Sequence, residues 1–184
     1  MLRRQFLLSA IAAGVAPRLR AQAPDLWSTL RAGGVAILLR HAQTVPGLGD
    51  PPGFRLGDCA TQRNLSEEGR RQSRRIGAAL EAQGVRVERV LSSQWCRCLD
   101  TARLAFPQHA VEAFPALNSF FDDRSTEPGQ TRETRERIAS IRPPANVAFV
   151  THHVNILALT GLAVGAGEAV LLLSPDRILG RLAL

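Results

Sequence analysis

Residues 34–39 form an unbroken apolar run, the pattern of a strand covered on both faces, and the run stops abruptly at Arg40 and His41. A short amphipathic segment at 26–30 precedes it. Residues 45–63 are rich in glycine, proline and aspartate and follow no period, which predicts a long loop of a length usually associated with function. Ser66 then offers an N-cap with Glu67 and Glu68 in the first turn, so a helix is predicted from Ser66 to about Gln83, ahead of Gly84, with Ile76 and Leu80 on its inner face. A second strand is read at 87–91, then a helix carrying Arg97, Thr101 and Leu104 after the turn at Ser92 and Ser93, and a weaker strand at 111–114. Residues 118–131 read as a second polar loop and 131–141 as a charged helix stopped by Pro143 and Pro144. A buried strand at 146–150 breaks at Thr151, His152 and His153 into a helix through Leu157 and Leu159 that ends near Gly161, and strands at 170–173 and 178–184 follow.

Strands alternating with helices predict an α/β fold, a three-layer α/β/α sandwich around a mostly parallel central sheet, because each crossover helix has to lie on a face of that sheet. A chain of 184 residues has room for one such domain and its core. Residues 1–23 are set apart from the fold as an export signal. Arg3 and Arg4 precede an apolar stretch that runs to Val15, and Ala21, Gln22 and Ala23 offer small residues for cleavage. The arginine pair followed by Gln5, Phe6 and Leu7 fits the twin-arginine export pattern, which predicts a periplasmic or secreted protein. The apolar stretch is far shorter than the ~20 residues of a spanning helix, so no stable membrane anchor is expected after cleavage. The expected mature domain is 24–184.

Removing that segment takes away four arginines and no acid, and the formal net charge falls from +7 to +3. No basic cluster is interleaved with aromatic residues, so a nucleic-acid partner is not expected. In an oxidising compartment the three cysteines, Cys59, Cys96 and Cys98, permit one disulfide. Cys59 is a member of any long-range pair, while Cys96 and Cys98 point in different directions if they lie on a helix; Cys96 is the favoured partner and Cys98 the alternative. A zinc site is the competing reading, but a C-x-C without a second ligand pair argues poorly for it, and neither metal nor cofactor is expected. Nothing in the pattern speaks to oligomeric state.

In sheets of this kind ligands bind beyond the carboxyl ends of the strands. Three separate strand ends here carry groups suited to an anion: Arg40 and His41 after the first, Ser93 and Arg97 after the second, and His152 after the fourth. Their coincidence predicts a shared anion site.

These residues resemble the histidine phosphatase superfamily, also called the phosphoglycerate-mutase-like proteins. The R-H-G-x-T motif is present as Arg40-His41-Ala42-Gln43-Thr44, with alanine in place of glycine. The second block is present as Leu65-Ser66-Glu67-Glu68-Gly69-Arg70-Arg71-Gln72, the third as Ser92, Ser93, Arg97, Thr101 and Ala102, and the late histidine as Val150-Thr151-His152-His153. The likeness runs from about Gly34 to Gly161. Cys59, the run at 93–98, residues 117–121 and Asn155-Ile156 make the chain similar to a compact, exported bacterial branch.

The resemblance implies that His41 attacks phosphorus in line and forms a phosphohistidine that water then hydrolyses. Arg40, Arg97 and His152 would surround the phosphoryl oxygens, with arginine suited to donating to two oxygens at once. Gln43, Thr44, Arg63, Ser93 and His153 are candidate lining residues of the phosphate pocket. Ser119 stands where many members carry a glutamate acid, and His153 stands where another branch carries aspartate. Asp122 and Asp123 are the available proton donors, although a solvated loop explains them as well. Trp95 is expected beside Arg97 or in the core, and His109 at the surface. The implied activity is hydrolysis of a phosphorylated small molecule, by analogy an envelope phosphosugar. A mutase is disfavoured because the chain lacks room for lid insertions. The rival expectation is a phosphate-binding module of the same fold without catalysis.

Overall fold

The computed structural model describes residues 25–183, so the export segment expected at 1–23 lies outside the described residues. Helix α1 (Leu26–Ala32) is capped by the Asp25 carboxylate, which accepts from the backbone N–H groups of Trp27 and Ser28. Gly33 and Gly34 turn the chain into strand β1 (Ala36–Arg40). Gly33 lies at φ 82°, and a Cβ there would stand 2.1 Å from the Pro144 carbonyl oxygen, so both conformation and space demand glycine. The chain continues through α2 (Glu67–Ala82), β2 (Arg89–Ser92), α3 (Cys96–Ala105), β3 (Val111–Ala113), α4 (Glu127–Ala139), β4 (Val147–Thr151), α5 (His153–Thr160), β5 (Glu168–Ser174) and β6 (Arg177–Ala183).

The six strands form one sheet in the order β3-β2-β4-β1-β5-β6. Pairings among β3, β2, β4 and β1 are parallel, while β5 runs antiparallel to β1 and β6 antiparallel to β5. The sheet is therefore mixed. Its parallel half is the one expected, and its last two strands are joined by only Pro175 and Asp176, too little chain for a crossover helix, so they form a hairpin. Alternate residues of β1 feed two cores. Ile37 and Leu39 pack with Leu30, Ile76, Leu80 and Ala102 from α1, α2 and α3, whereas Ala36 and Leu38 pack with Ile138, Ile156 and Leu159 from α4 and α5. Helices thus cover both faces, as the continuous apolar run in β1 requires.

Helix α4 begins at Glu127, earlier than the expected 131, and shortens the second loop. Pro128 and Gly129 read as loop in the sequence, yet Pro128 sits in the first helical turn, where a missing N–H costs nothing. His109 is half-buried rather than at the surface, with Nε2 donating to the Val87 carbonyl at 2.7 Å. Cys59 and Cys96 form a disulfide that ties the first long loop to the first turn of α3, and Cys98 is a buried free thiol. No helix among the described residues is long and apolar enough to cross a membrane.

Candidate active site

Three adjacent strands deliver the side chains expected to form the anion site. The His41 N–H donates to the Thr151 carbonyl at 2.9 Å and the Ser93 N–H to the Val150 carbonyl at 2.9 Å, so ladder bonding carries one residue past the ends of β1 and β2. With β4 between them, His41, His152 and Arg97 converge at the carboxyl edge of the sheet. The rings of His41 and His152 lie 5.4 Å apart, edge to face. His41, Arg97 and His152 are each 4% exposed. Together with Arg40, Arg63 and His153 they line one cavity of about 280 Å³.

The Nδ1 atom of His41 is 2.9 Å from the Ala42 carbonyl oxygen. A carbonyl can only accept, so Nδ1 carries the proton and Nε2 keeps its lone pair. Burial lowers the His41 pKa most; the carbonyl bond pulls the other way, but the charges of Arg97, Arg40 and Arg63 add to burial and bring it to about 3. His41 is therefore neutral at pH 7. Burial also holds His152 well below its ordinary range, assisted by His41 and the same arginines. Its Nε2 atom is 2.9 Å from Ser93 Oγ and 3.4 Å from Cys98 Sγ. Burial pushes the Cys98 thiol up to about 12, which leaves it a neutral packing group.

The arginines form a cationic cup. Arg40 donates through Nη1 to the Val164 carbonyl at 2.8 Å, and Arg63 through Nε to the Gly49 carbonyl at 2.7 Å. Burial lowers the pKa of Arg40, with Arg63 and Arg97 repelling it further, and burial and Arg97 act the same way on Arg63. The Nε atoms of Arg40 and Arg97 are buried without a hydrogen-bond partner among the described residues, which leaves donors for an anion. Arg97 lies in the first turn of α3, where backbone N–H groups add partial positive charge.

Asp50, a residue the sequence did not single out, holds this cup in shape. Its Oδ1 accepts from Arg97 Nη1 at 2.8 Å and from the Arg63 backbone N–H at 2.9 Å, and its Oδ2 accepts from the Trp95 indole at 2.9 Å. Burial by itself would raise the Asp50 pKa, but the hydrogen bonds from Arg97, Arg63 and Trp95 hold it below the ordinary carboxylate value. Asp50 is thus an ionised partner of Arg97. Trp95 fulfils both expectations made of it, buried in the core and near Arg97 at 6.0 Å.

Not every expected residue reaches the cavity. Gln43 is exposed and does not line it; the Gln43 carbonyl accepts from the Ser66 N–H and is pressed by the first turn of α2, where a Cβ at Gly69 would lie 1.8 Å away. Thr44 stands behind Arg63, whose Nη1 donates to its hydroxyl. Ser93 supports His152 from below, and its hydroxyl also lies 3.2 Å from Asn118 Oδ1. Asp123 faces away and accepts from the Ser125 N–H as the cap of a short 3₁₀ turn (Arg124–Thr126). Asp122 does line the cavity, as do Ser119 and His153. The described residues contain no cluster of His, Cys, Asp and Glu arranged to hold a metal.

Residues 36–118 match the family described as the histidine phosphatase superfamily (branch 1). Among solved structures, TTHB049 from Thermus thermophilus is similar at 21% identity, covering 82% of this chain and 99% of its own, with a TM-score of 0.58. A phosphoglycerate mutase from the same organism is similar at 19% identity, 82% and 99% coverage and a TM-score of 0.57. A mycobacterial glucosyl-3-phosphoglycerate phosphatase follows at 17% identity, 78% and 94% coverage and a TM-score of 0.55. At such identities the likeness establishes the fold, which is phosphoglycerate-mutase-like. Among curated proteins no sequence match is found.

Proposed function

The chain belongs, through residues 36–118, to the histidine phosphatase superfamily (branch 1), and on that premise we propose that it is a phosphomonoester hydrolase working through a phosphohistidine on His41. The observation that carries this reading is the Nδ1 bond of His41 to the Ala42 carbonyl, which leaves an unprotonated Nε2 among three arginines. Nε2 attacks phosphorus as the bond from phosphorus to the ester oxygen breaks, and Arg40, Arg97 and His152 take up the phosphoryl charge. Asp122 is the carboxyl group at the mouth that can give the departing oxygen its proton. Water then attacks phosphorus, returns a proton to Asp122, breaks the N–P bond and releases inorganic phosphate.

Hydrolysis is favoured over mutase chemistry because a mutase must keep water from the phosphohistidine. Here the mouth is open, with Leu48, Phe121 and Asp122 all exposed. The twin-arginine pattern supports a periplasmic or secreted site of action, and the Cys59–Cys96 disulfide fits an oxidising compartment. The substrate is a phosphorylated small molecule. An envelope phosphosugar is the candidate that analogy supplies, and its hydroxyls would have to be met by Ser119, Asp122 and His153.

A second reading, a phosphate-binding module without turnover, draws on Ser119, which occupies the cavity where an acid was expected. Turnover of p-nitrophenyl phosphate separates the two. Hydrolysis by the mature protein, an acid-labile phosphate on His41, and loss of at least about a thousandfold in His41→Ala support the enzyme. Phosphate affinity with no turnover supports the binder, and undiminished turnover by His41→Ala refutes the assigned nucleophile.

A further inference from the structure

The cavity has two unlike ends. Its floor is cationic, whereas its mouth carries Leu48, Phe121 and Val154. Leu48 is 86% exposed and Phe121 50% exposed. Isolated exposed apolar side chains are ordinary on a protein surface. These two come from separate loops, one between β1 and α2 and the other between β3 and α4, and both line the passage that leads to His41.

The polar groups at the mouth are few, namely the Ser119 hydroxyl, His153 and Asp122, and two of them are partly engaged. Ser119 Oγ already accepts from the Phe121 N–H at 3.2 Å, and His153 Nδ1 lies 3.3 Å from the Val164 carbonyl, to which it can only donate. Asp122 alone among them makes no hydrogen bond to another described residue.

We infer that Leu48 and Phe121 form an apolar rim that receives the leaving group, so that the preferred substrate is a phosphomonoester whose alcohol presents an aromatic or alkyl group beside the ester oxygen. The inference rests on the hydrolase reading and narrows it. In-line attack puts the leaving oxygen on the side of phosphorus opposite the nucleophile. Since His41 is buried on the floor, the ester oxygen points outward, and the group attached to it falls between the two apolar side chains. An aromatic or alkyl group there removes apolar surface from water on both sides. A sugar in the same place would lose water from hydroxyls that find few protein partners.

Benzyl phosphate and glucose 6-phosphate are both esters of primary alcohols, so their comparison separates recognition from leaving-group chemistry. The expected kcat/KM favours benzyl phosphate by about tenfold or more, and Leu48→Ser and Phe121→Ser each reduce that ratio by about fivefold, through KM. Calorimetric binding of the same two esters to His41→Ala is expected to show the same preference without turnover. Equal kcat/KM for the two esters, or a ratio that neither substitution moves, overturns the rim. Preferential binding of benzyl phosphate to His41→Ala with no turnover of any ester by the wild-type protein overturns the hydrolase reading and leaves the rim standing. Absence of both binding and turnover overturns both.

Discussion

On the floor of the cavity the main chain places the side chains of the candidate site, because His41 and Ser93 extend the sheet's own ladder onto β4. The wall beside it, built from the long loop that carries Asp50 and Arg63, borrows no strand. It is held by the Asp50 carboxylate, which gathers Arg97, Trp95 and the Arg63 backbone, and by the Cys59–Cys96 disulfide. The proposed nucleophile, His41, thus inherits the rigidity of the sheet, while the cationic cup depends on a few side chains. Damage to one should be separable from damage to the other.

The largest separation is expected from Asp50→Ala. It leaves Arg97, whose side chain is 5% exposed, without its counter-charge, and breaking such a buried pair costs about 4 kcal/mol. Denaturant unfolding reads that loss, and added inorganic phosphate should restore part of it by giving Arg97 a new anion. In kinetics KM should rise more than kcat falls; the reverse would mean that Asp50 touches the reacting atoms and that the two regions are not independent.

A smaller effect is expected from opening the disulfide. The bond closes a separation of 37 residues, and replacing Cys59 and Cys96 by alanine should cost about 3 kcal/mol. If the wall alone depends on it, the variant keeps its His41 phosphohistidine chemistry in saturating substrate while its midpoint in urea falls. Loss of the phosphoenzyme would show that the floor needs the tether too.

The effect that is smallest per step, although it accumulates over several pH units, is graded with pH and belongs to the floor. His41 has a folded pKa of about 3, below the ordinary 6.5, so between those values the unfolded chain binds the proton that the folded chain refuses. Stability should therefore fall as pH drops from 6.5 towards 3, by about 1.4 kcal/mol per pH unit for each such histidine, and His152 is depressed in the same direction. Asp50, also depressed, contributes stability above its ordinary unfolded pKa that is lost at still more acid pH. A pH series of urea midpoints checks this, with His41→Asn expected to flatten the slope. For the same reason kcat/KM should show no loss of nucleophile near pH 6.5.

The contrast also explains what the sequence could tell. Apolar runs that stop at Arg40 and at Thr151-His152 announce strand ends directly, and the turn at Ser93 puts Arg97 in the first turn of the helix that follows. The placement of β4 between β1 and β2 is set by crossovers and leaves no local trace. Asp50 was hidden because an aspartate in a glycine- and proline-rich loop is what any loop contains. Asp122 and Asp123 could not be told apart for the same reason, yet one lines the cavity and the other caps a turn. Gln43 and Thr44 follow the nucleophile in the chain, but the close approach of α2 turns one outward and sets the other behind Arg63.

Cys98 has a bearing on how the covalent bond survives. Disulfide exchange needs a thiolate, and a sulfur that keeps its proton to about 12 while sealed against His152 makes a poor attacker on its neighbours. The odd cysteine is therefore silenced by the same packing that builds the floor. Scrambling becomes a hazard of the unfolded chain alone, and a chain that folds before it is oxidised is committed to a single covalent isomer.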